Sequence, residues 1–229
     1  NKNYHFATGL TIRPKITWDC NQAILAYSGT DTAVTMGDSD GTLSYQPEMV
    51  RFKLHLIDKT SHGVRLRCTV RAVLHGVIES LYQPFDNTRT NVGVNINAVN
   101  ASSYWNEISV MVNHTHESFR IKSTGTRYST DNYLKNCTAF GDHLTDSTSR
   151  GITIGVGDTK PEAQGLVISG GNIERCEEGI VVGTFSGPVH MSGIRFESGS
   201  NTVDVRFEST AQEANTMIGC SNATTVIYD

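Results

Sequence analysis

The segment Ile168–Glu174 of this 229-residue chain has the sequence ISGGNIE, and a similar segment, MSGIRFE, follows at Met191–Glu197. The two align with one residue of slippage in the middle, and their terminal glutamates are 23 residues apart. A second pair of segments, Gly179–Val182 and Thr202–Val205, recurs at about the same spacing. Two different strands that repeat with one period are typical of successive coils of a solenoid, because each coil buries its apolar face against its neighbours.

Short runs with alternating apolar residues occur along the chain and end at Gly, Asn, Asp or Ser. They are Phe52–Leu56, Val64–Val70, Val92–Ile96, Ile108–Val112, Ile152–Val156 and Val203–Phe207. No segment of about a dozen residues has the apolar spacing of a helix. The pattern predicts an all-β right-handed parallel β-helix, a solenoid of short strands with coils of about 20 to 30 residues and almost no helix. An antiparallel sandwich is disfavoured because its strands would share no such period.

We predict a single β-helix domain over residues 1–229, with less regular first coils at 1–44 and regular coils at 45–225. Two segments of the first part, Ile16–Trp18 and Ala23–Tyr27, still have the pattern of strands. No Pro- or Ser-rich linker divides the chain. Because the chain begins at Asn1 rather than at Met, we expect a fragment or a processed chain.

Composition favours a folded domain and argues against two classes of partner. A hydrophobic content of 38% is enough for a sizeable core. The net charge is −4, and Lys and Arg are scattered, which argues against nucleic acid and against a membrane as partners. The five cysteines, Cys20, Cys68, Cys137, Cys176 and Cys220, lie far apart and are predicted to be free thiols. We expect Cys68, Cys137 and Cys176 to lie in or beside the core.

Phrases of Gly followed by Ile or Val, namely Gly63–Leu66, Gly151–Ile154 and Gly179–Val182, alternate with Ile168–Glu174. With these phrases the chain resembles the pectin-lyase-like β-helix family over roughly residues 45 to 225, and most of all the tailspike and tail-fibre proteins of bacteriophages. The resemblance implies a homotrimer in the virion tail that binds cell-surface polysaccharide. It also raises the hypothesis of a depolymerase, with a glycoside hydrolase favoured over a lyase.

Two other interpretations remain open, because the resemblance includes no diagnostic catalytic motif. One is a secreted bacterial polysaccharide lyase or hydrolase that acts as a monomer. The other is a structural or adhesive spike without catalysis. Sequence signatures of serine hydrolases, phosphate loops and dinucleotide sites are absent, and we expect no cofactor.

Two glutamates are the strongest catalytic candidates. If Ile173 and Phe196 point inward, alternation turns Glu174 and Glu197 outward at one position of consecutive coils, about 4.8 Å apart. This spacing is close to the roughly 5 to 5.5 Å between the two carboxyl groups of retaining glycosidases. Because the two charges repel, one glutamate should hold its proton more tightly and could act as an acid near neutral pH.

Further charged residues follow this pair in the sequence. Asp204 is a third catalytic candidate, and with Glu177 and Glu178 it is expected to widen the acidic surface. Arg175 and Arg195 would oppose a raised pKa if they folded back over the pair. The alternative interpretation is therefore an ordinary set of surface ion pairs.

Three weaker clusters could also carry chemistry. Asn113–Glu117, NHTHE, contains two histidines and a carboxylate but no further ligand cluster, so a turn is favoured over a metal site. Gly37–Gly41, GDSDG, lacks the later Glu of a calcium loop and is predicted to be a turn. Asp142, His143 and Arg150 could serve a lyase as base and as uronate-neutralising group. We predict no metal.

Sugar binding requires aromatic faces that stack on pyranose rings and polar groups that pair with hydroxyls. Trp105, Tyr128 and Tyr133 supply the aromatic faces in predicted turns between coils, and Arg150 supplies a polar group. We predict these four residues to bind substrate. Trp105 has an alternative role, because a large aromatic side chain can also fill a corner between coils.

Overall fold

The computed structural model of the chain describes residues 2–37, 41–124, 127–157, 163–184, 186–197, 200–208 and 215–229. In this part of the chain all regular structure is β-strand, and all strands pair in parallel in three stacked sheets. The described residues include no helix that could cross a membrane. The fold is a parallel β-helix, which confirms the predicted fold class.

Each coil contributes strands to two long sheets. The coils in the middle of the stack also contribute strands to a short third sheet. With strands numbered in chain order, the first sheet comprises β1 (Asn3–Phe6), β3 (Thr17–Asp19), β4 (Ile24–Tyr27), β7 (Glu48–Leu56), β10 (Val73–Ser80), β13 (Glu107–Asn113), β16 (Tyr133–Lys135), β17 (Thr138–Phe140), β20 (Leu166–Ser169), β21 (Asn172–Glu174), β23 (Val189–Ser192), β24 (Arg195–Phe196) and β26 (Thr216–Ile218). The second sheet comprises β2 (Leu10–Ile12), β5 (Thr32–Met36), β8 (His62–Arg67), β11 (Val92–Ala98), β14 (Glu117–Ser123), β18 (Arg150–Ile154), β22 (Glu178–Val182), β25 (Val203–Phe207) and β27 (Val226–Tyr228). The third sheet comprises β6 (Ser44–Tyr45), β9 (Thr69–Val70), β12 (Ser103–Tyr104), β15 (Ser129–Thr130) and β19 (Ala163–Gln164).

The 23-residue repeat sets the register of the late coils. Ile168 pairs with Met191 and Ile173 with Phe196, so the two segments stack without the slippage that their alignment allows. The second predicted alignment is wrong by two residues, because Gly179 pairs at the level of Asp204 rather than Thr202. The turn before β25 is longer than the turn before β22, so the period lengthens there.

Stacked partners are between 21 residues apart, as for Asn3 and Ile24, and 34 residues apart, as for Leu134 and Ile168. The predicted upper limit of about 30 residues is therefore too low. The longer coils contain extended turns such as residues 81–91 and 141–149, which lie between the first and second sheets. We call the turns at this edge the first corner. The coils of residues 1–44 stack on their neighbours through the same parallel pairing.

Inward-facing aliphatic side chains form one continuous core along the stack. Cys68, Cys137 and Cys176 are buried, as predicted, and all five cysteines are free. The predicted strand Val64–Val70 is divided at Cys68, where a φ of 53° turns the chain from the second sheet to the third. Inside the stack Asn106 donates to the side-chain oxygen of Asn132 at 2.8 Å and accepts from the N–H of Ala72 at 2.9 Å. These asparagines satisfy backbone groups that the aliphatic core cannot.

A column of glycines explains the Gly-Ile and Gly-Val phrases of the sequence. Gly63 and Gly93 stack at the start of the second sheet, and Gly151 and Gly179 stack two coils further on. A Cβ at Gly151 would overlap the backbone carbonyl oxygen of Gly179. Gly179 meets the carbonyl of Asp204 in the same way. The coils therefore approach closely at this column because a side chain is absent.

Gly151→Ala is expected to lower the free energy of unfolding by about 1–3 kcal/mol, because the new methyl group forces the backbones of two coils apart. Gly41→Ala is the matched control, since no atom lies within 4 Å of a Cβ built there. It is expected to change stability by less than about 0.5 kcal/mol. Chemical denaturation of both variants measures the difference, and equal stabilities would contradict this account of the glycine column.

Candidate active site

Glu174 and Glu197 lie where the sequence predicts, at one outward position of consecutive coils. Their inward neighbours Ile173 and Phe196 are buried and paired, and the N–H of Glu197 donates to the carbonyl of Ile173 at 3.2 Å. Both glutamates are partly exposed. Their carboxyl groups share a hydrogen bond, which is a closer approach than the gap of a retaining glycosidase, where the sugar lies between the two groups.

Glu174 is the member of this pair whose pKa is raised. Partial burial, the hydrogen bond with Glu197 and repulsion from the charge of Glu197 raise the pKa of Glu174 to about 7. Arg195 and Arg175 lower it only in part. Asn172 donates to an oxygen of Glu174 at 2.8 Å and holds the carboxyl in place. Glu174 can therefore keep a proton near neutral pH, as an acid catalyst must.

Phe140 stacks directly below Glu174 on the preceding coil, in the column that runs from Asn113 through Phe140 to Glu174. The guanidinium carbon of Arg175 lies 5.2 Å from the centre of the Phe140 ring. The ring of His114 meets Phe140 edge-on at 5.1 Å. Phe140 is thus surrounded by an acid, a cation and an imidazole.

At the first corner, two long turns from non-adjacent coils contact each other across the short turn of the coil between them. Residues 81–91 and 141–149 lie on either side of residues 114–116, and they are joined by Asn87 and Ser147. The N–H of Ser147 donates to the side-chain oxygen of Asn87 at 2.8 Å, and the Asn87 amide donates to the Ser147 hydroxyl at 3.1 Å. The short turn with its two histidines is therefore enclosed from both sides.

A histidine–aspartate cluster, made of Arg89, His114, His116, Asp142 and Asp146, fills this enclosure. The Arg89 side chain is fully buried, and its guanidinium lies 3.6 Å from Asp142 and 3.1 Å from Asp146. His114 Nδ1 lies 3.0 Å from both carboxylate oxygens of Asp142, and His116 Nδ1 lies 2.9 Å from Asp146. One buried cation thus stabilises two aspartates, each of which orients a histidine.

Neighbouring groups of the turns also stabilise the negative charge of Asp146. Burial disfavours ionisation of Asp146, but hydrogen bonds from His116 and Thr148, with the charge of His116, outweigh it and keep the pKa of Asp146 below its usual value. Phe85 stacks on His114 with ring centres 4.7 Å apart, and the Arg89 guanidinium lies 5.0 Å from the Phe85 ring. Phe85 therefore covers His114 on one face and fixes its orientation.

The sequence pattern favoured a turn over a metal site at His114 and His116, and it did not identify Arg89, Phe85 or Asp146. A usable signal was present, because the first corner repeats an Asp-x-Thr-Ser-x-Gly pattern at residues 58–63 and 146–151. In both copies the aspartate accepts hydrogen bonds from the backbone and hydroxyl of the threonine two residues later. The repeat marks equivalent turns, and it places Asp146 in one of them.

Asp204 does not widen the acidic surface as predicted. It is buried and accepts hydrogen bonds from the backbone N–H groups of Thr224 and Thr225 at 2.7 and 3.0 Å. Its position in β25 follows from the two-residue lengthening of the coil. Glu178 forms ion pairs at 2.8 Å with Arg150 and with Arg206.

The lyase trio is not assembled. Asp142 pairs with His114 and Arg89, whereas Arg150 pairs with Glu178 in the second sheet. His143 Nδ1 is buried without a hydrogen-bond partner. No contact among these described residues brings Arg150 to Asp142, so the base and the uronate-neutralising group of the predicted trio do not share a site.

Two of the predicted sugar-binding aromatics, Trp105 and Tyr133, lie at another edge of the coil, between the third and first sheets, and Tyr128 lies between the second and third sheets. We call this region the aromatic edge. Trp105 is 47% exposed, lies edge-on to Tyr104 and has the Arg71 guanidinium 5.3 Å from its ring centre. Tyr128 is exposed just before β15, and Tyr133 begins β16. The exposure of Trp105 contradicts a role in filling a corner. The aromatic edge and the glutamate pair lie at opposite ends of the strands of the first sheet.

Two buried thiols lie behind the site without the means to react. Burial raises the pKa of both Cys137 and Cys176 to about 12, so neither is a thiolate near neutral pH. Among the described residues no three or more His, Cys, Asp or Glu side chains are arranged so that they could hold a metal ion. Asp38–Asp40 of the considered calcium loop lie outside the described residues.

Replacing Glu174 is expected to stabilise the protein only at higher pH. The raised pKa means that stability from protonated Glu174 is fully present below about 4.5, its ordinary value, and is lost as pH rises to about 7. Glu174→Gln should therefore gain up to about 1 kcal/mol over the wild type across this range, because solvent screens the half-exposed pair. Thermal melts at pH 4.5 and pH 8 measure the gain, with Glu107→Gln as control. A gain that does not change with pH would contradict the raised pKa.

We compared the chain with models of known protein families, with curated proteins and with solved structures, and none of the three comparisons found a match. The geometry of the site is therefore the basis for its functional interpretation. Its two central elements are the hydrogen-bonded glutamate pair and the histidine–aspartate cluster that adjoins it.

Proposed function

We propose that this chain binds a polysaccharide along its lateral surface and hydrolyses a glycosidic bond, with Glu174 as the general acid. The observation that carries the proposal is the placement of Glu174 and Glu197 at one outward position of adjacent coils. The close approach of their carboxyl groups helps to raise the pKa of Glu174 to about 7. Cleavage of a glycosidic bond requires a proton on the leaving oxygen, and a carboxyl group that is protonated near neutral pH supplies it.

The surroundings of Glu174 suit a sugar ring. Phe140 and Phe85 provide apolar surface, and Arg175 offers hydrogen-bond donors within the same area. The described hydrogen bonds and ion pairs leave the Arg175 guanidinium without a carboxylate at ion-pair distance. Arg175 is therefore our proposed contact to a polar group of the glycan.

The aromatic edge serves in this proposal as a second place where the same polysaccharide is held. Trp105 and Tyr128 expose about half of their surface, and Tyr133 has the Lys135 ammonium 5.8 Å from its ring centre. Aromatic faces next to cationic groups can stack on sugar rings and pair with hydroxyls. A long chain could reach both edges across the first sheet, whereas a short oligosaccharide could not.

We further propose that the protein is a tailspike or tail-fibre segment in a phage virion, and that it works as a homotrimer. Support comes from the parallel coil stack and from outward apolar side chains at Met111, 44% exposed, and Leu144, 75% exposed. Such side chains are expected to be covered in a spike. A secreted monomeric polysaccharide hydrolase has the same site but leaves these side chains uncovered.

Cleavage is tested by incubating the protein with a panel of capsular and O-antigen polysaccharides and measuring product masses. We expect shorter products with a mass gain of one water per cut, and activity that falls above about pH 7 as Glu174 ionises. Glu174→Gln and Glu197→Gln should each lose about 100-fold or more, whereas Glu48→Gln should not, because Glu48 accepts a hydrogen bond from Thr17 in the early coils, away from both proposed binding places. Full activity of both pair variants would refute the acid role. Binding without cleavage would identify a non-catalytic adhesive spike.

The oligomeric state separates the spike from the monomeric enzyme. Light scattering is expected to give three times the chain mass of 25.0 kDa. Met111→Lys and Leu144→Lys should shift the protein toward smaller species if these side chains are covered in the trimer. A stable wild-type monomer at micromolar concentration would contradict the trimer and favour the secreted enzyme.

A further inference from the structure

We infer that His114, oriented by Asp142, is the catalytic base that activates water for attack on the same glycosidic bond. The inference rests on the proposed hydrolase function and adds the group that the glutamate pair lacks. Four observations carry it: the close approach of the two glutamates, the orientation of His114 by Asp142, its position across Phe140 from Glu174, and its exposure. Its consequence is inversion at the anomeric carbon.

The glutamate pair cannot supply both catalytic groups in this arrangement. Two carboxyl groups can share a hydrogen bond only when one of them carries the proton. The carboxyl groups of Glu174 and Glu197 therefore face each other, instead of facing opposite sides of a bound sugar. The pair acts as one acid, and the base or nucleophile must come from another side chain.

Asp142 orients His114 as a base requires. A carboxylate only accepts hydrogen bonds, so the Nδ1 atom that lies 3.0 Å from both oxygens of Asp142 carries the proton. In the neutral ring Nε2 then holds the free lone pair. The side chain remains 28% exposed, so a water molecule can reach it. Arg89 stabilises the charge of Asp142 from the buried side.

His114 and Glu174 lie on opposite sides of Phe140. His114 directly follows Asn113, which pairs with Phe140, and Phe140 pairs with Glu174 on the next coil. The two catalytic groups are therefore two strand spacings apart along the stack, or about 10 Å between backbones. Phe140 itself occupies part of this gap and is partly exposed, so the sugar is placed on its outward surface, between the two groups. Acid and base in inverting glycosidases lie about 6.5–9.5 Å apart, on either side of the sugar and the water.

The chemical step consumes only glycan and water. Glu174 transfers its proton to the glycosidic oxygen as the bond from that oxygen to the anomeric carbon breaks. Water forms the new carbon–oxygen bond from the opposite face and gives its proton to His114 Nε2. The products are a sugar with a free anomeric hydroxyl of inverted configuration and a second sugar with a free alcohol. The proton returns from His114 to Glu174 through solvent, which restores both groups.

His116 provides a matched control within the same cluster. It has the same kind of aspartate partner, Asp146, at a similar distance and with similar exposure. Its ring makes none of the aromatic contacts that the described residues show between His114, Phe85 and Phe140. Loss of either histidine leaves one aspartate without its histidine partner, but only loss of His114 also removes the contacts with Phe85 and Phe140.

His114→Asn tests the base, with His116→Asn as control. His114 has a φ of 58°, a conformation that Asn adopts readily, so the variant should fold. We expect a 10²- to 10⁴-fold loss of cleavage for His114→Asn and a smaller loss for His116→Asn, which disturbs only the cluster. His5→Asn, in β1 and outside the site, is the control that should keep full activity. Equal loss in both variants would show a structural role for the cluster and overturn the inference.

Chemical rescue separates a missing base from a loss of structure. Added imidazole or azide should restore cleavage by His114→Gly, and azide should yield a glycosyl azide. The alkaline limb of the pH profile near pH 7 reports Glu174, so His114→Asn should keep it. Absence of rescue in a His114→Gly variant that still binds the glycan would overturn the role of His114.

Proton NMR of the first-formed product separates the two proposals. Inversion is the expected result for direct attack by water. Retention would overturn the base role of His114 but leave the hydrolase intact. If Glu174→Gln abolishes cleavage and His114→Asn does not, only the inference fails. If the wild type cleaves no glycan in the panel, the proposed function fails and the base assignment fails with it.

Discussion

Backbone hydrogen bonds between coils that run in the same direction force each residue against the residue at the same position of the next coil. An aliphatic column such as Leu134, Ile168 and Met191 buries itself this way at every coil. The same stacking also applies to outward residues, each of which lies about 4.8 Å from the residue at the same position of the next coil. Two glutamates at one outward position are therefore brought together whether or not their charges favour it. The core supplies the free energy that holds Glu174 and Glu197 in an arrangement that would not persist in solution.

The columns make part of the site predictable from sequence and the corners make the rest unpredictable. Inside the strands, the 23-residue repeat and the alternation of Ile173 with Glu174 determine both register and face. Corner length is not constrained by the stack, so a two-residue lengthening before β25 was enough to misplace Asp204. A buried charge such as Arg89 also breaks the hydrophobic pattern on which the prediction depends. Only contacts between two turns far apart in sequence show that it has partners.

The histidine–aspartate cluster costs free energy of folding because it buries charged side chains. Arg89 loses its hydration entirely, and ion pairs with Asp142 and Asp146 compensate only when both carboxylates and both histidines are in place. His114 in addition adopts a left-handed backbone conformation. Burying so much charge in a turn adds little net stability, because well-packed apolar residues would serve as well. The arrangement gives His114 a single orientation beside Phe140, as its proposed role as a base would require.

The first corner is where this fold can accept such a cluster. Strands in the stack must keep their length, whereas turns at a corner can lengthen without disturbing the hydrogen bonds between coils. Residues 81–91 and 141–149 use this freedom to reach across the short turn at 114–116 and touch each other through Asn87 and Ser147. The glutamate pair ends strands of the first sheet at the same corner. The strands of the first sheet thus hold Glu174, whereas the turns of the first corner orient His114. Their shared neighbour, Phe140, belongs to both, since it ends β17 and begins the turn that contains Asp142.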